Sequence, residues 1–466
     1  MKRVLFFLLC LFVITRVASA ADHYVRQGAT GANNGSDWTN AWTSIPATLT
    51  RGDTYYIADG SYGRYTFNAP QSATSVIMIR KATTASHGTD TGWDSTYGDG
   101  QAIFTGWSFT TGYWNVDGVT GSGTSGYGIV VHPPTVAHVI TIDGSMSNIH
   151  FSNIEANVWP DGTDWNSIPD SGGSFSQIVK ATTGTTIAIT FNNVYFHHVF
   201  GCMFQVTNAV DWIVENSRLY KNKSTPAWHA ATICDQGSNH YIFRNNFIKD
   251  NAGSAIWDLI QAGGNNDNSH IYNNVVWHSG ESDWNEAGLA AIVGVWNDSS
   301  NSRSATNWRI YNNTFVNLKG VPALIFTAGS GNIVQNNLWY CNRTDTSYTN
   351  YVYINNAAGD YNAYMACALT GAQAGSLGAH DYTGGVTWGT NCPYTVLGTT
   401  PFVNWQNGDF HLTSTAPVIN KGTALGSLYN MDISGIIRPQ GPATDIGAYE
   451  YSIVLFPMPP TNIKVY

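Results

Sequence analysis

Charge is scarce in this sequence. Only 11% of its 466 residues are Asp, Glu, Lys or Arg, and the formal net charge at pH 7 is −9. The 21 basic residues form no block, although a basic cluster is the usual electrostatic footprint of a nucleic-acid-binding protein. The composition therefore argues against nucleic acid as a partner and is compatible with a neutral or modestly charged polymer.

Long apolar runs are lacking after the first twenty residues. A basic start precedes the apolar stretch Val4–Ile14, and the small residues at 18–20 fit a signal-peptidase cleavage pattern. We expect 1–20 to be a signal peptide and the mature, secreted chain to start near Ala21. No later segment is long and apolar enough to predict a transmembrane helix.

Cysteine is too sparse to supply a disulfide framework. Of the six cysteines, Cys10 lies inside the predicted signal peptide, which leaves an odd number. No pair has the spacing of a metal site. Cys367 and Cys392 are the favoured disulfide pair. The others are expected to be core residues: Cys202, Cys234 and Cys341.

What the sequence does contain is a repeat of the form apolar, any, Asn, any, any, apolar. Successive marker asparagines are separated by 40, 23, 29, 28, 39 and 24 residues. Self-similarity at such a period indicates a stacked architecture, and no long segment shows the 3.6-residue apolar period of a helix. The seven copies are Phe151–Ala156, Phe191–Phe196, Val214–Leu219, Phe243–Ile248, Ile271–Val276, Ile310–Phe315 and Val334–Trp339.

The spacing within each copy predicts a bend at the asparagine. The two apolar positions are five residues apart, so uninterrupted alternation would place them on opposite faces of a strand. A bend at Asn, which tolerates left-handed backbone, returns both to the interior. The asparagines of stacked coils can also bond to one another, which would satisfy buried amides.

This pattern resembles the right-handed parallel β-helix of the pectate-lyase-like proteins. We therefore expect an all-β, single-stranded solenoid with an N-terminal cap and irregular C-terminal coils. An antiparallel sandwich or a propeller is the alternative, but those folds favour hairpin turns such as Asn-Gly between paired strands.

Both ends of the chain support this resemblance. The stretch Arg51–Tyr62 is similar to the opening of many secreted β-helix proteins, in which a first strand and a short capping helix come before a Gly-Asp-Thr strand. Pro401–Tyr451 resembles the closing region of the choice-of-anchor Q group. The expected divisions are 1–20 signal peptide, 21–64 cap and first coil, 65–400 β-helix, 401–451 closing region and 452–466 tail or linker.

Counting from each asparagine locates a candidate site. The fifth residue after it is polar and ionisable in four consecutive copies, which predicts a polar stripe along a loop edge. The seven residues at this position are Val158, His198, Lys221, Asp250, His278, Asn317 and Cys341.

The resemblance implies a chemistry for this stripe, because lyases of this architecture remove the proton next to a uronate carboxylate. Lys221 or His229 would be the catalytic base. A calcium ion, which prefers several oxygen ligands, would be held by Asp235, Asp258 and Glu281. The expected substrate contacts are His198, Asp250, Trp257, His278 and Trp284.

Two functions of different class stay open. One is a secreted polysaccharide-active enzyme, a uronate lyase in preference to a glycoside hydrolase. The other is a non-catalytic surface or adhesion protein that binds glycans. The polygalacturonase motifs Asn-Thr-Asp, Asp-Asp and Gly-His-Gly are absent, as is an Arg-x-Pro-x-x-Arg pectate-lyase signature. A monomer is expected in either case.

Overall fold

The chain folds into a stack of coils made of short strands. The computed structural model describes residues 20–121, 126–135, 138–164, 176–223, 230–259, 265–281, 289–295, 303–318, 323–341, 351–365, 368–369, 378–382 and 400–452. Within these residues there is no α-helix, and the helical turns are the three-residue 3-10 segments Ser95–Tyr97, Trp405–Asn407 and Ser427–Tyr429.

From Thr54 onward each coil contributes at least one strand to each of three parallel sheets, here called A, B and C, while Asn265–Asp267 and Ser304–Thr306 pair separately. Sheet A contains Asp22–Val25, Thr54–Ile57, Ile77–Lys81, Trp114–Asp117, Met146–Ser152, Thr186–Asn192, Ala209–Val210, Ile213–Glu215, Ile242–Arg244, His270–Tyr272, Arg309–Tyr311, Ile333–Gln335 and Ala358–Asp360. Sheet B contains Gly60–Tyr62, Ala102–Phe104, Ile129–Val131, Ile154–Asn157, Tyr195–Phe200, Arg218–Lys223, Phe247–Lys249, Val275–Trp277, Thr314–Val316, Leu338–Tyr340 and Ala363–Met365. Sheet C contains Tyr65–Phe67, Trp107–Phe109, Ile140–Asp143, Val179–Thr183, Phe204–Thr207, Ala231–Gln236, Gly253–Leu259, Leu289–Val295, Ala323–Phe326, Tyr351–Asn355 and Ala368–Leu369.

Neighbouring strands in all three sheets come from successive coils, which is the topology of a right-handed parallel β-helix and confirms the predicted fold. Like side chains therefore stack inside the solenoid. The rings of Phe67 and Phe109 are parallel with centroids 4.1 Å apart, and those of Phe151 and Phe191 are 4.7 Å apart. A single coil could not bury these rings, but a stack of coils can.

The marker asparagines form the bend between sheets A and B. All seven have a positive φ, between 52° and 58°. Asn193 illustrates the consequence, because Phe191 before it and Phe196 after it are both buried. The predicted left-handed bend is confirmed.

The inward-facing ladder is built by the residue that follows the marker. Asn246, Asn274, Asn313 and Asn337 are fully buried, and each side-chain nitrogen bonds to a side-chain oxygen of the next coil at 2.9–3.1 Å. The earlier marker asparagines form a more exposed ladder, as in the bond of 3.2 Å from Asn245 to Asn216, whereas Asn273, Asn312 and Asn336 are buried. In each Asn-Asn pair, the first residue therefore forms the left-handed bend, and the second forms hydrogen bonds in the buried interior.

The expected capping helix in the opening segment is wrong. Residues 26–53 contain turns and irregular chain. This chain packs over a small aromatic cluster in which Trp38 is buried against Tyr24 and Trp93, with centroids 5.0 and 4.9 Å away. Apolar side chains therefore cover the first coil without helical backbone.

The closing region runs back along the outside of the solenoid. It contains the antiparallel pair Phe402–Asn404 and Asp409–Leu412, and it contacts the outer sides of sheets A and B. Phe410 packs on Trp277 of sheet B, with centroids 5.5 Å apart, and the Tyr429 hydroxyl is 2.8 Å from Nδ1 of His270 in sheet A. A buried ion pair of Arg438 and Glu450 lies within it.

Cys202 and Cys234 form a disulfide between adjacent coils, and Cys341 is a buried thiol. The expectation that Cys202 and Cys234 are core residues is correct for burial, although it did not anticipate their pairing. The predicted pair Cys367 and Cys392 lies outside the described residues. Among those described, no helix has the length and hydropathy that a membrane span requires.

Candidate functional site

The predicted polar stripe lies where sheet B turns toward sheet C. His198, Lys221, Asp250 and Asn317 adopt left-handed backbone there, with φ between 48° and 55°. These side chains are buried, as is His278, so the polar stripe faces into the packed structure. The positive φ turns each side chain back against its neighbours on adjacent coils.

His197 and His198 meet at the start of this stripe. Successive side chains of a strand normally point to opposite faces, but the φ of 48° at His198 brings its ring beside that of His197. Their Nδ1 atoms are 2.7 Å apart, and Oδ1 of Asp161 is 3.4 and 3.7 Å from them. Burial, followed by the nearby His197 and Lys221, lowers the pKa of His198 to about 2, so this ring is neutral.

Lys221, Lys249 and Glu281 form an ion-pair group across three successive coils. Nζ of Lys221 lies 3.4 Å from Oε2 of Glu281, and Nζ of Lys249 bonds to Oε1. Lys249 also lies 5.2 Å from the ring centroid of Trp277. Two buried ammonium groups thus share one carboxylate.

Asp250 adjoins this group and is fully buried. Its two carboxylate oxygens accept bonds of 2.7 Å from the backbone nitrogen and the hydroxyl of Ser279. Burial raises the pKa of Asp250 to about 6, against the opposing effect of Lys249. The carboxyl has no exposed surface, so the predicted contact with substrate is not present in this geometry.

The predicted calcium ligands are not brought together. Asp258 pairs in register with Cys234, whereas Asp235 pairs with Leu259. Asp235 and Asp258 therefore point to opposite faces of sheet C. Asp235 faces the interior, where it accepts bonds from Ser238 at 2.5 Å and Asn266 at 2.7 Å.

Glu281, the third predicted calcium ligand, bonds to the two lysines instead.

The aromatic contact predicted at Trp257 is also wrong. Its side chain is buried between Tyr241 and Trp308, with ring centroids 4.6 and 5.2 Å away, and has no surface for a sugar. His278 is buried as well, and its Nε2 is 3.0 Å from the backbone oxygen of Asn251. His229 and Trp284 lie outside the described residues.

The outer face of sheet C carries a row of half-buried polar side chains in register. Strand pairing aligns Ser108 with Thr141, Thr141 with Lys180, and Lys180 with Gln205. The Thr141 hydroxyl donates to that of Ser108 at 2.9 Å, and Nζ of Lys180 is 3.2 Å from Nε2 of His138. Equivalent groups therefore recur at one strand spacing, about 4.8 Å.

Two cavities lie away from this row. One, of about 220 Å³, is lined by Asn312, Leu425 and Arg438 beneath the closing region. The other, of about 380 Å³, lies outside sheet A beside His240 and His270. Neither contains a residue of the polar stripe.

Sequence reasoning missed Lys249, His197, Asp161 and Glu155. Lys249 directly precedes the stripe residue Asp250, and this adjacency is the signal that the sequence offers. Consecutive histidines are a visible signal, but only the left-handed backbone at the second makes them converge. Asp161 and Glu155 lie 36 and more residues before His197 in the chain, so their approach depends on coil stacking.

Comparisons with known proteins give structural likeness without sequence relatives. No family model and no curated protein matches the sequence. Pectate lyase Pel9A is similar at 17% identity and a TM-score of 0.48, over 94% of this chain and 98% of that chain. The Dettilon tailspike protein is similar at 11% identity and a TM-score of 0.39, over 70% and 61%.

A third similar structure is a mannuronic-acid-specific polysaccharide family 6 lyase from human gut microbiota. It is 12% identical, with a TM-score of 0.35, over 76% of this chain and 87% of that chain. Two of these three structures are therefore polysaccharide lyases. At such identities the likeness concerns the fold, which the strand pairing of this chain establishes directly.

Proposed function

We propose that this chain is a secreted polysaccharide-acting protein that binds an acidic glycan along the outer face of sheet C. The observation that carries the proposal is the in-register row of Ser108, Thr141, Lys180 and Gln205. A periodic, straight row of hydrogen-bonding groups suits a polymer whose own groups repeat. Lys180 supplies a cation within the row, as an acidic chain requires.

We further propose that the polymer contains uronate and that cleavage is a β-elimination. The group of Lys221, Lys249 and Glu281 lies at the turn leading into sheet C and carries two cations against one carboxylate. Lys221 would act in its neutral form, after losing a proton to solvent, and would then take the proton from the carbon next to the uronate carboxylate. A carbon–carbon double bond then forms as the glycosidic bond breaks, and the leaving sugar oxygen takes up a proton. Lys249 would favour binding of the negatively charged carboxylate of the uronate substrate.

A non-catalytic glycan-binding role is the second candidate. It is favoured by the burial of both lysines, whose side chains are only 9% and 7% exposed and share the carboxylate of Glu281. An ion-pair group of this kind can serve stability alone. The row on sheet C would then bind the glycan without cleaving it.

Assays with a panel of uronate polymers distinguish the lyase function from the non-catalytic binding function. The purified chain is incubated with pectate, alginate and glycosaminoglycan uronates, with and without calcium, and the absorbance of unsaturated sugar ends is followed. We expect product with at least one polymer and its loss in Lys221→Met. Lys421→Met, in the exposed part of the closing region, is the matched control and should retain activity.

Retention of a polymer in affinity electrophoresis without unsaturated product would instead support the binding role. Failure of every polymer to be retained or cleaved would contradict both. Export is tested separately, by sequencing the N-terminus of the secreted protein, which we expect to begin near Ala21.

A further inference from the structure

The convergence of His197, His198 and Asp161 points to a metal site that is independent of the proposed glycan chemistry. We propose that Nδ1 of His197, Nδ1 of His198 and Oδ1 of Asp161 bind a late first-row divalent cation of the zinc class. These three atoms form a compact cluster in which every pair lies within 4.8 Å.

The separations of the three atoms fit a single ion. They are 2.7, 3.4 and 3.7 Å. Zinc binds nitrogen and oxygen at about 2.0–2.2 Å, so two ligands at a tetrahedral angle are roughly 3.3–3.5 Å apart. The two histidine nitrogens would have to separate by roughly 0.6–0.8 Å, and the distance from His198 to Asp161 would have to shorten by roughly 0.2–0.4 Å.

The hydrogen bond to Glu155 selects the tautomer of His197 that a metal requires. Nε2 of His197 lies 3.3 Å from Oε1 of Glu155, so a proton on Nε2 is stabilised and Nδ1 is left with its lone pair. A carboxylate behind a metal-binding histidine is the usual outer partner in such sites. Without the ion, Nδ1 of His198 donates a hydrogen bond to Nδ1 of His197. Metal binding then requires that the proton of His198 move from Nδ1 to Nε2 of the same ring.

Asp161 is held in place while leaving room for a ligand. The Tyr195 hydroxyl donates to its Oδ1 at 2.9 Å, and the Tyr195 ring stacks on His197 with centroids 4.1 Å apart. A carboxylate oxygen has two lone pairs, so Oδ1 can accept this bond and bind a cation. The side chain of Asp161 is 61% exposed, which places the fourth coordination position on the solvent side.

The donor set also selects the class of metal. Two imidazole nitrogens and one carboxylate suit zinc, copper or nickel, whereas calcium prefers six or more oxygen atoms. The site thus differs in chemistry from the all-oxygen calcium site predicted from the sequence.

Titration of the untagged protein with ZnCl₂, followed by calorimetry, tests the proposal. One ion per chain is expected, and Co²⁺ in its place should give the visible absorption of a four-coordinate ion. Asp161→Asn changes an exposed side chain and is expected to weaken binding at least tenfold. His198→Asn retains a residue that tolerates left-handed backbone and should have a comparable or larger effect.

Glu155→Gln tests the positioning role, with an expected loss of about 10–100-fold in affinity and unchanged stoichiometry. His380→Asn is the matched control, because His380 forms an exposed pair with Asp360 at 2.8 Å and lacks a second histidine. The proposal is overturned if the unaltered chain binds no Zn²⁺, or if Asp161→Asn and His198→Asn bind it as tightly as the control does. Binding of Ca²⁺ in preference to Zn²⁺ would also overturn it. These readouts do not depend on whether the chain cleaves a glycan.

Discussion

Nζ of Lys221 lies 3.4 Å from Oε2 of Glu281, although the two residues belong to coils two apart in the stack. Lys249 on the intervening coil bonds to the other oxygen of the same carboxylate. Since both lysine side chains are buried, Glu281 balances two charges that water reaches poorly.

We therefore predict that Glu281→Gln destabilises the protein. Removing one partner of a buried ion pair leaves an uncompensated charge, and because Glu281 is about a quarter exposed we expect a loss of about 1–3 kcal/mol. Urea unfolding measures it. The double variant Lys249→Met, Glu281→Gln should recover part of the loss, since one unbalanced ammonium is removed. Equal stability of Glu281→Gln and the unaltered chain would show that the pair is not structural.

The two asparagines of one repeat are predicted to respond differently to the same change. Asn246→Gly removes the acceptor of the Ser217 backbone N–H and the donor to the Val214 oxygen, both in the buried interior. At about 1–3 kcal/mol for each unsatisfied buried group, we expect a loss of roughly 3 kcal/mol.

Asn245→Gly is the matched control for this pair. Glycine adopts the φ of 55° at this position readily, and the lost side-chain bonds lie in the more exposed ladder. The expected cost is below about 1 kcal/mol, because glycine replaces Asn at left-handed positions with little strain. Denaturant unfolding of the two variants gives the comparison, and a larger loss for Asn245→Gly would contradict these roles.

The fold could be predicted because its signal is local. Each copy of the repeat needs a left-handed bend to bury both of its apolar residues, and that requirement depends on six residues only, as at Phe191–Phe196. The calcium site could not be predicted from a local pattern in the same way. Asp235 and Asp258 lie on neighbouring strands as expected, but pairing of Asp258 with Cys234 sets them on opposite faces.

The burial of the polar stripe also depends on side-chain direction, which the sequence does not reveal. His198, Lys221 and Asp250 were recognised as polar, but their left-handed backbone, which the sequence does not reveal, turns them inward. The convergence of His197 with Asp161 depends on the path of a turn and on coil stacking. Side-chain direction at a turn is thus the information that a repeat pattern lacks.

The disulfide between Cys202 and Cys234 is predicted to stabilise the middle of the stack. The residues are 32 apart in sequence, and a closed loop of this length restricts the unfolded chain by roughly 2–4 kcal/mol. The double variant Cys202→Ala, Cys234→Ala should lower the unfolding midpoint accordingly. Cys341→Ala, at a buried thiol outside the disulfide, is the control for lost cysteine volume. Peptide mapping without reductant should recover the Cys202–Cys234 link, and its absence from the folded protein would contradict the pairing.

Stability is predicted to fall as the pH rises from about 4 to 7, in part because of Asp235. Burial raises the pKa of this carboxyl from 3.8 to about 6 despite its bonds to Ser238 and Asn266. The folded state therefore binds the proton more tightly than the unfolded state. This contribution is fully present below about pH 4 and is lost as the pH passes 6, for a total of about 2–3 kcal/mol.

Asp235→Asn has no titrating carboxyl, so the decline in unfolding free energy between these pH values should become shallower. A remaining slope is expected from Asp250, whose pKa is also raised to about 6 by burial. Asp94→Asn is the control, because hydrogen bonds from Thr96 lower the pKa of that exposed carboxyl and its contribution is lost as the pH falls. If urea unfolding at a series of pH values gives the same slope for Asp235→Asn and the unaltered chain, the interior carboxyl is not the source of the pH dependence. A shallower slope would instead identify Asp235 as a group whose ionisation the packed interior opposes.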